Sequence, residues 1–380
     1  MRKKVSIGAT LILLSATLSF TGAHAGEKNQ GGENNKSDNI SQEFKGASVR
    51  SHGHPVANLT EKPTAGSRQQ VSSSVSNDDE VGEMEWQKWN KANSQATAKA
   101  IGSLASNPIT FHAGGSIGVM TGPTQLVPVW VGNWTQVNKD FWNTRMSALV
   151  SSLNGGSIKT ASHIFNTNTL YYSLRNAQLA TLTWAAGAAT SNVPANLQKA
   201  SGGITPVSDG NVATYINRAI TSKIISPPTS ERVIYIYIGA ADTRLSSGFG
   251  TAYCGWHTYG NLGAANIPYI AIQDFTSKYY AACSAQTISP NGNVAFDAMA
   301  SVLVHEIDEA LTDADLRTWY DSRGAENADK CAWTFTPFNI ENGYKYNFTA
   351  GGYKYLIQRN WLADNLVKDS VAGTACSITG

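Results

Sequence analysis

The sequence has no surplus of either charge: 29 Lys and Arg stand against 27 Asp and Glu, a formal +2. Even that excess belongs to Arg2, Lys3 and Lys4; without residues 1–25 the balance is 26 to 27, or −1. A nucleic-acid partner needs a basic surplus gathered on one face, so nucleic acid is excluded as a partner. Past the N-terminus no apolar run is long enough to cross a bilayer, and the mature chain is expected to carry no transmembrane anchor. Neither a Gly-x-Ser-x-Gly nucleophile elbow nor a dinucleotide glycine fingerprint stands between a strand and a helix. From Gly26 to about Val81 aromatic residues are nearly missing, with Phe44 alone, while Asn, Ser, Gly, Gln, Glu and Lys dominate. Such a stretch buries too little apolar surface to offset chain entropy. A disordered polar spacer or pro-segment is therefore expected over 26–84, with a helical lead-in or linker over 85–108. His52 and His54 lie in it and read as solvated.

What is present divides the chain. A short basic start, the apolar Val5–Phe20 and Ala23-His24-Ala25 have the order of a secretory signal peptide, residues 1–25, with cleavage expected after Ala25. The protein is thus expected to be secreted, periplasmic or extracellular. Hydrophobic content of 42%, with ten Trp and fifteen Tyr, is enough for a large core. One domain is expected over 109–380. Within it Leu126–Val131, Val233–Ile238 and Ile267–Ile272 read as strands, and Asp140–Leu153, Asn211–Ile225 and Asp297–Leu311 as helices. Tyr344–Phe348 and Tyr353–Gln358, joined across Ala350-Gly351-Gly352, read as a hairpin. Alternating helices and strands predict an α/β (mixed α+β) architecture: a central, mainly mixed β-sheet flanked by helices.

The most informative segment is Val304-His305-Glu306-Ile307-Asp308-Glu309-Ala310-Leu311-Thr312-Asp313. At about 100° per residue, His305, Glu309 and Asp313 share one side of a helix, with Glu306 at its edge. This is the geometry of the His-Glu-x-x-His metallopeptidase helix, in which the first and fifth residues bind zinc and the Glu activates water. Here the fifth residue is Glu309, so the site is harder and more anionic. A divalent metal is the expected cofactor, with Zn²⁺ first and Mn²⁺ or Ca²⁺ open. Ten acids fall between Asp297 and Glu341 against three bases, a local −7. Acids crowded on a helix with a core stripe are costly unless they share a cation. Glu326, twenty-one residues past His305, is the expected third ligand. Asp329 and Asp313 are the alternatives. Glu306 is the expected general base.

The four cysteines, in an exported chain, are expected to form two disulfides. Cys254 and Cys283 bracket one strand region, and Cys331 and Cys376 bracket the C-terminal hairpin; these are the expected pairs. The competing use is Cys331 as a metal ligand beside Asp329.

Several segments in order resemble the EXORDIUM/phosphate-induced protein family, in its microbial branch. They are Gly118-Val119-Met120-Thr121-Gly122-Pro123 with Val129-Trp130-Val131-Gly132-Asn133-Trp134, then Tyr253-Cys254-Gly255-Trp256-His257, then Ser289-Pro290-Asn291-Gly292-Asn293. His305–Asp313, Asp329-Lys330-Cys331-Ala332-Trp333 and Lys354–Trp361 complete the series. The chain departs from the pattern at Ala314, where Pro is expected, and at Asn327-Ala328, where Ile-Gly is expected. Plant relatives lack the His-Glu-x-x-Glu residues, so their link to cell expansion does not carry over. The resemblance makes His257 a candidate second ligand or electrophile near the metal. The expected function is a secreted metal-dependent hydrolase, peptidase-like, using metal-activated water on a peptide, protein or cell-wall polymer. The alternative is a non-catalytic extracellular or wall-associated binding protein with a structural ion or none. A monomer is expected.

Overall fold

Runs of Val, Ile and Tyr become buried strands, and segments with apolar residues three and four apart become helices. In chain order the first strands are β1 (Asn39–Phe44), β2 (Ala47–Pro55), β3 (Ile109–Phe111), β4 (Gly122–Val131), β5 (Ala180–Trp184) and β6 (Thr205–Val207). Then come β7 (Val233–Gly239), β8 (Thr243–Leu245), β9 (Tyr253–Leu262), β10 (Ala265–Gln273) and β11 (Trp319–Tyr320). The last are β12 (Asn339–Glu341), β13 (Tyr344–Tyr346), β14 (Phe348–Ala350), β15 (Tyr353–Tyr355), β16 (Asn360–Val367) and β17 (Ser370–Ser377). The helices are α1 (Gln136–Leu153), α2 (Thr169–Ser173), α3 (Asp209–Thr221) and α4 (Val294–Thr312). The structure, a computed structural model, describes residues 39–44, 47–55 and 108–377. It omits 114–115, 155–166, 174–176, 198–199, 201, 229–231, 247, 251–252, 264, 277–280, 322–323, 336 and 368–369. The expected signal peptide and the 85–108 lead-in, apart from Pro108, lie outside the described residues.

The main sheet has the order β1-β2-β9-β10-β7-β4-β5. β10, β7, β4 and β5 run parallel, whereas β9 runs antiparallel to β10. The sheet is therefore mixed and, with helices packed on it, the domain is α+β as its sequence predicts. A smaller sheet, β11-β3-β17-β16, carries the C-terminal strands. Disulfides join Cys254 to Cys283 and Cys331 to Cys376, the expected pairs. Cys331 is thereby removed from the list of possible metal ligands.

α4 occupies the centre of the packing. It lies against β9, β10, β2 and β15. Phe296 near its start meets Trp142 and Phe141 of α1, at ring separations of 5.0 and 5.3 Å. Asn293 caps it, accepting from the Phe296 N–H at 3.0 Å. Close approach to β9 depends on Gly255, where a Cβ would fall 2.6 Å from Val302 Cγ1. His257, two residues on, occupies the same face of β9, because strand side chains alternate.

Two expectations change. Tyr344–Tyr346 pairs with Asn339–Glu341, and the Gly351-Gly352 turn joins only Phe348–Ala350 to Tyr353–Tyr355. Both glycines have positive φ, +56° and +82°, the backbone that a two-residue hairpin turn requires. One long hairpin is thus two short ones. Second, most of the polar stretch 26–84 lies outside the described residues, but β1 and β2 within it are paired strands that extend the sheet at β9. An open sheet edge offers backbone donors and acceptors to a partner of any composition, so polar sequence is no bar to pairing there.

Candidate metal centre

Three elements bring the site together: the last turns of α4, the middle of β9 and the loop from Gly324 to Cys331. On α4, His305 and Glu309 are one turn apart, with His305 Nε2 3.0 Å from Glu309 Oε1. Asp329 lies beyond them, its Oδ1 3.6 Å from His305 Nε2. Its backbone N–H donates to Glu309 Oε1 at 2.9 Å. On the other side of Glu309, His257 Nδ1 is 3.3 Å from Glu306 Oε2 and 3.5 Å from Glu309 Oε2. His257 Nε2 is 3.7 Å from Glu326 Oε1. The ligand atoms of His305, Glu309 and Asp329 fit within 4.8 Å of one another, as do those of His257, Glu306 and Glu309. Glu309 belongs to both groups.

Every member is interior: His257, Glu306, Glu309 and Glu326 are at 0% exposure, His305 at 1% and Asp329 at 7%. Among the described residues, Glu306 Oε1 and Asp313 Oδ2 are buried without a hydrogen-bond partner. The electrostatics show the strain of this crowding. Burial pushes Glu306 up to about 7, against the pull of its hydrogen bond with His257. Burial and the Glu309 charge raise Asp329 to about 6, and burial with Glu309, Asp313 and Asp329 pushes Glu326 well above the usual carboxylate range. Burial alone would depress His257, but hydrogen bonds to Glu306 and Glu309 and their charges carry it to about 10. His305 is raised in the same way, chiefly by Glu309 against burial. Glu309 is the exception: burial pushes it up, yet the His305 charge and hydrogen bonds from both imidazoles hold it far below the usual range.

The residues expected from sequence fall unequally. His305, Glu309 and Asp329 converge. Glu326 is placed with His257 rather than His305. Asp313 leaves the shared side because the helix ends at Thr312 and Asp313 has φ −141°. A 3.6-residue wheel does not extend through that cap. Its Oδ1 instead accepts from the N–H groups of Arg317 and Thr318, both at 2.6 Å; burial raises its carboxyl to about 7.

A set of buried amides, silent in the sequence, holds the loop. Asp308 Oδ1 accepts from Asn168 Nδ2 at 3.0 Å and Oδ2 from Asn360 Nδ2 at 2.9 Å. Asn168 Oδ1 in turn accepts from Asn327 Nδ2 at 2.7 Å. Trp361 N–H donates to the Asn327 carbonyl at 3.0 Å, and the Cys331–Cys376 bond ties down the loop end. Asn168 and Asn360 are scattered single residues with no spacing to mark them. The departure at Asn327-Ala328 was the one available signal: Asn327 is where the loop meets this network.

A mixed sheet bearing a buried cluster of imidazoles and carboxylates beneath one long helix defines an α+β protein with a candidate cation site. The phosphate-induced protein 1 conserved region matches residues 109–361, and the chain belongs to that family. It is 24% identical over 297 residues to Protein EXORDIUM-like 3 of Arabidopsis thaliana, covering 70% of this chain and 84% of that one. No solved structure matches it. Among the described residues no helix is long and apolar enough to cross a membrane. The two disulfides are consistent with an extracellular protein.

Proposed function

We propose that this protein is a secreted metal-dependent hydrolase acting on peptide bonds, with its ion held by His305, Glu309 and Asp329. The observation that carries the reading is the convergence of one imidazole and two carboxylates within 4.8 Å. The donors fit a divalent cation. Imidazole and carboxylate suit Zn²⁺ foremost, and a buried carboxylate oxygen without a donor at Glu306, beside Glu309, is costly in the absence of positive charge. A cation bound there supplies Lewis acidity, polarising a carbonyl and easing deprotonation of water.

The chain's own groups do the rest. Glu306 faces the shared Glu309 from the β9 side, and it takes a proton from water as the water oxygen bonds to the carbonyl carbon. When the C–N bond breaks, Glu306 returns the proton to the leaving amine. His257 holds Glu306 at Nδ1 and stands within reach of a developing oxyanion. Glu326 faces the other end of that ring, its Oε1 3.7 Å from His257 Nε2. Glu306→Gln is expected to retain stoichiometric zinc, measured by elemental analysis, and to lose casein hydrolysis by roughly 100- to 10,000-fold. A fully active Glu306→Gln enzyme would end this mechanism.

Burial favours a second reading, a non-catalytic extracellular or wall-associated binding protein with a structural ion. The most exposed side chain in the cluster, Asp329, is only 10% accessible. On that reading chelation lowers stability, Glu306→Gln is silent and no peptide is cleaved.

A further inference from the structure

β2 lies on the outer edge of β9, antiparallel, with His52 opposite His257, Gly53 opposite Trp256 and Pro55 opposite Tyr253. Residues directly opposite in an antiparallel pair occupy the same face of the sheet. The strand thus passes the site at the residue that contacts Glu306, Glu309 and Glu326, and α4 packs against β2 as well as β9. The register slips between Gly53 and Pro55, and among the described strands β2 pairs with β9 and β1 alone. The occupant comes from the polar stretch 26–84, whose composition gives it little apolar surface to anchor it.

We propose that the outer edge of β9 is an acceptor for an extended polypeptide, and that in the full chain this acceptor is filled by the chain's own hairpin, Asn39–Phe44 with Ala47–Pro55. This rests on the hydrolase reading for its consequence and names the substrate class of the same site: an unfolded peptide segment added as a strand. Edge addition works through main-chain N–H and C=O groups at the strand repeat, which a peptide supplies and a glycan does not. A peptide in the place of β2 lies with its residue at the His52 position opposite His257, beside the Glu306–Glu309 pair. The hairpin blocks that place, and its departure opens the flank of His257.

The test uses the zinc-loaded full chain with a specific protease site inserted between residues 60 and 80, and a fluorescent synthetic peptide of sequence 47–55 as probe. Cleavage and removal of the hairpin should raise the affinity for the probe at least about tenfold over the intact chain, read by anisotropy. Unfolded β-casein should compete, and cellohexaose should not. Because the hairpin-free protein could lose its fold, a second variant keeps the chain intact: His52→Pro with Gly53→Pro. Successive residues of a strand point their N–H groups to opposite neighbours, so one of the two prolines must remove a donor aimed at β9. This variant should also gain probe binding, and a probe carrying the same two prolines should bind at least tenfold more weakly than the unsubstituted one. Equal probe affinity in intact, cleaved and double-proline proteins would overturn the proposal, as would competition by cellohexaose. The two readings fail separately. A hairpin-free protein that binds the probe and never cleaves casein keeps the acceptor and ends the hydrolase. Casein cleavage at the same rate with and without the hairpin ends the acceptor and keeps the hydrolase.

Discussion

Glu309 is where the two halves of the cluster meet, so its removal gives the sharpest measurement. Its carboxylate receives His305 Nε2 at 3.0 Å and the Asp329 N–H at 2.9 Å on Oε1, and faces His257 Nδ1 at 3.5 Å through Oε2. Glu309→Gln keeps the shape and one acceptor but removes the charge and turns the other oxygen into a donor aimed at His257. Hydrogen bonds to charged groups contribute about 1.5–3 kcal/mol each, and removing one partner of a buried ion pair costs about 3–5 kcal/mol. The contacts share one charge and do not add, so a loss of about 4 kcal/mol in urea unfolding of the metal-free protein is expected. In a domain of this size that is a fall in Tm of roughly 8–16 °C. Zinc should raise the Tm of the native chain, a stabilisation of about 2.7 kcal/mol at a hundredfold excess over Kd, and should do much less for Glu309→Gln. Glu341, paired with Lys354 at the surface, is the control: Glu341→Gln should leave both readings unchanged. A Glu309→Gln protein within about 1 kcal/mol of the native chain and equally stabilised by zinc would refute the reasoning.

The metal-free protein should lose stability steadily from pH 4 to pH 10. Glu306, Asp313 and Asp329 hold protons in the folded state to about 7, 7 and 6 against ordinary values of 4.5, 3.8 and 3.8, so stability falls as pH rises through that window. His257, raised from 6.5 to about 10, contributes fully below pH 6.5 and loses its contribution as pH rises through 10, the same sign. Zinc, which displaces those protons, should flatten the profile; a thermal scan with EDTA showing greater stability at pH 9 than at pH 6 would contradict this. Asp308→Ala strands the amides of Asn168 and Asn360. It should cost about 2–5 kcal/mol by urea unfolding and weaken zinc binding through the loosened Asn327; unchanged stability would remove the network from the argument. Cys376→Ala opens a loop closed across 45 residues and should cost on the order of 4 kcal/mol, with a variant as stable as the native chain counting against it.

Local periodicity determined the parts of this protein that depend on nearest neighbours. The apolar stripe of α4, the Val/Ile/Tyr strands β4, β7 and β10, and the placing of His305 and Glu309 one turn apart follow from 3.6- and 2-residue repeats. The acidic concentration around that helix is likewise plain in the chain, because a local net charge of −7 needs no coordinates to be counted. Both cysteine pairs matched the order of the segments they tie.

Tertiary packing decided what the repeats do not encode. Which acid meets His305 depends on how the Gly324–Cys331 loop is held, and that is set by Asn168 and Asn360, 140 and 52 residues from Asp308. Asp313 turned away because a helix wheel has no meaning past a cap. His257 meets Glu306 and Glu309 only because Gly255 of β9 lets α4 approach that strand closely. The polar segment at β2 found its place because an open sheet edge recognises a backbone, and a backbone is the one feature every sequence shares.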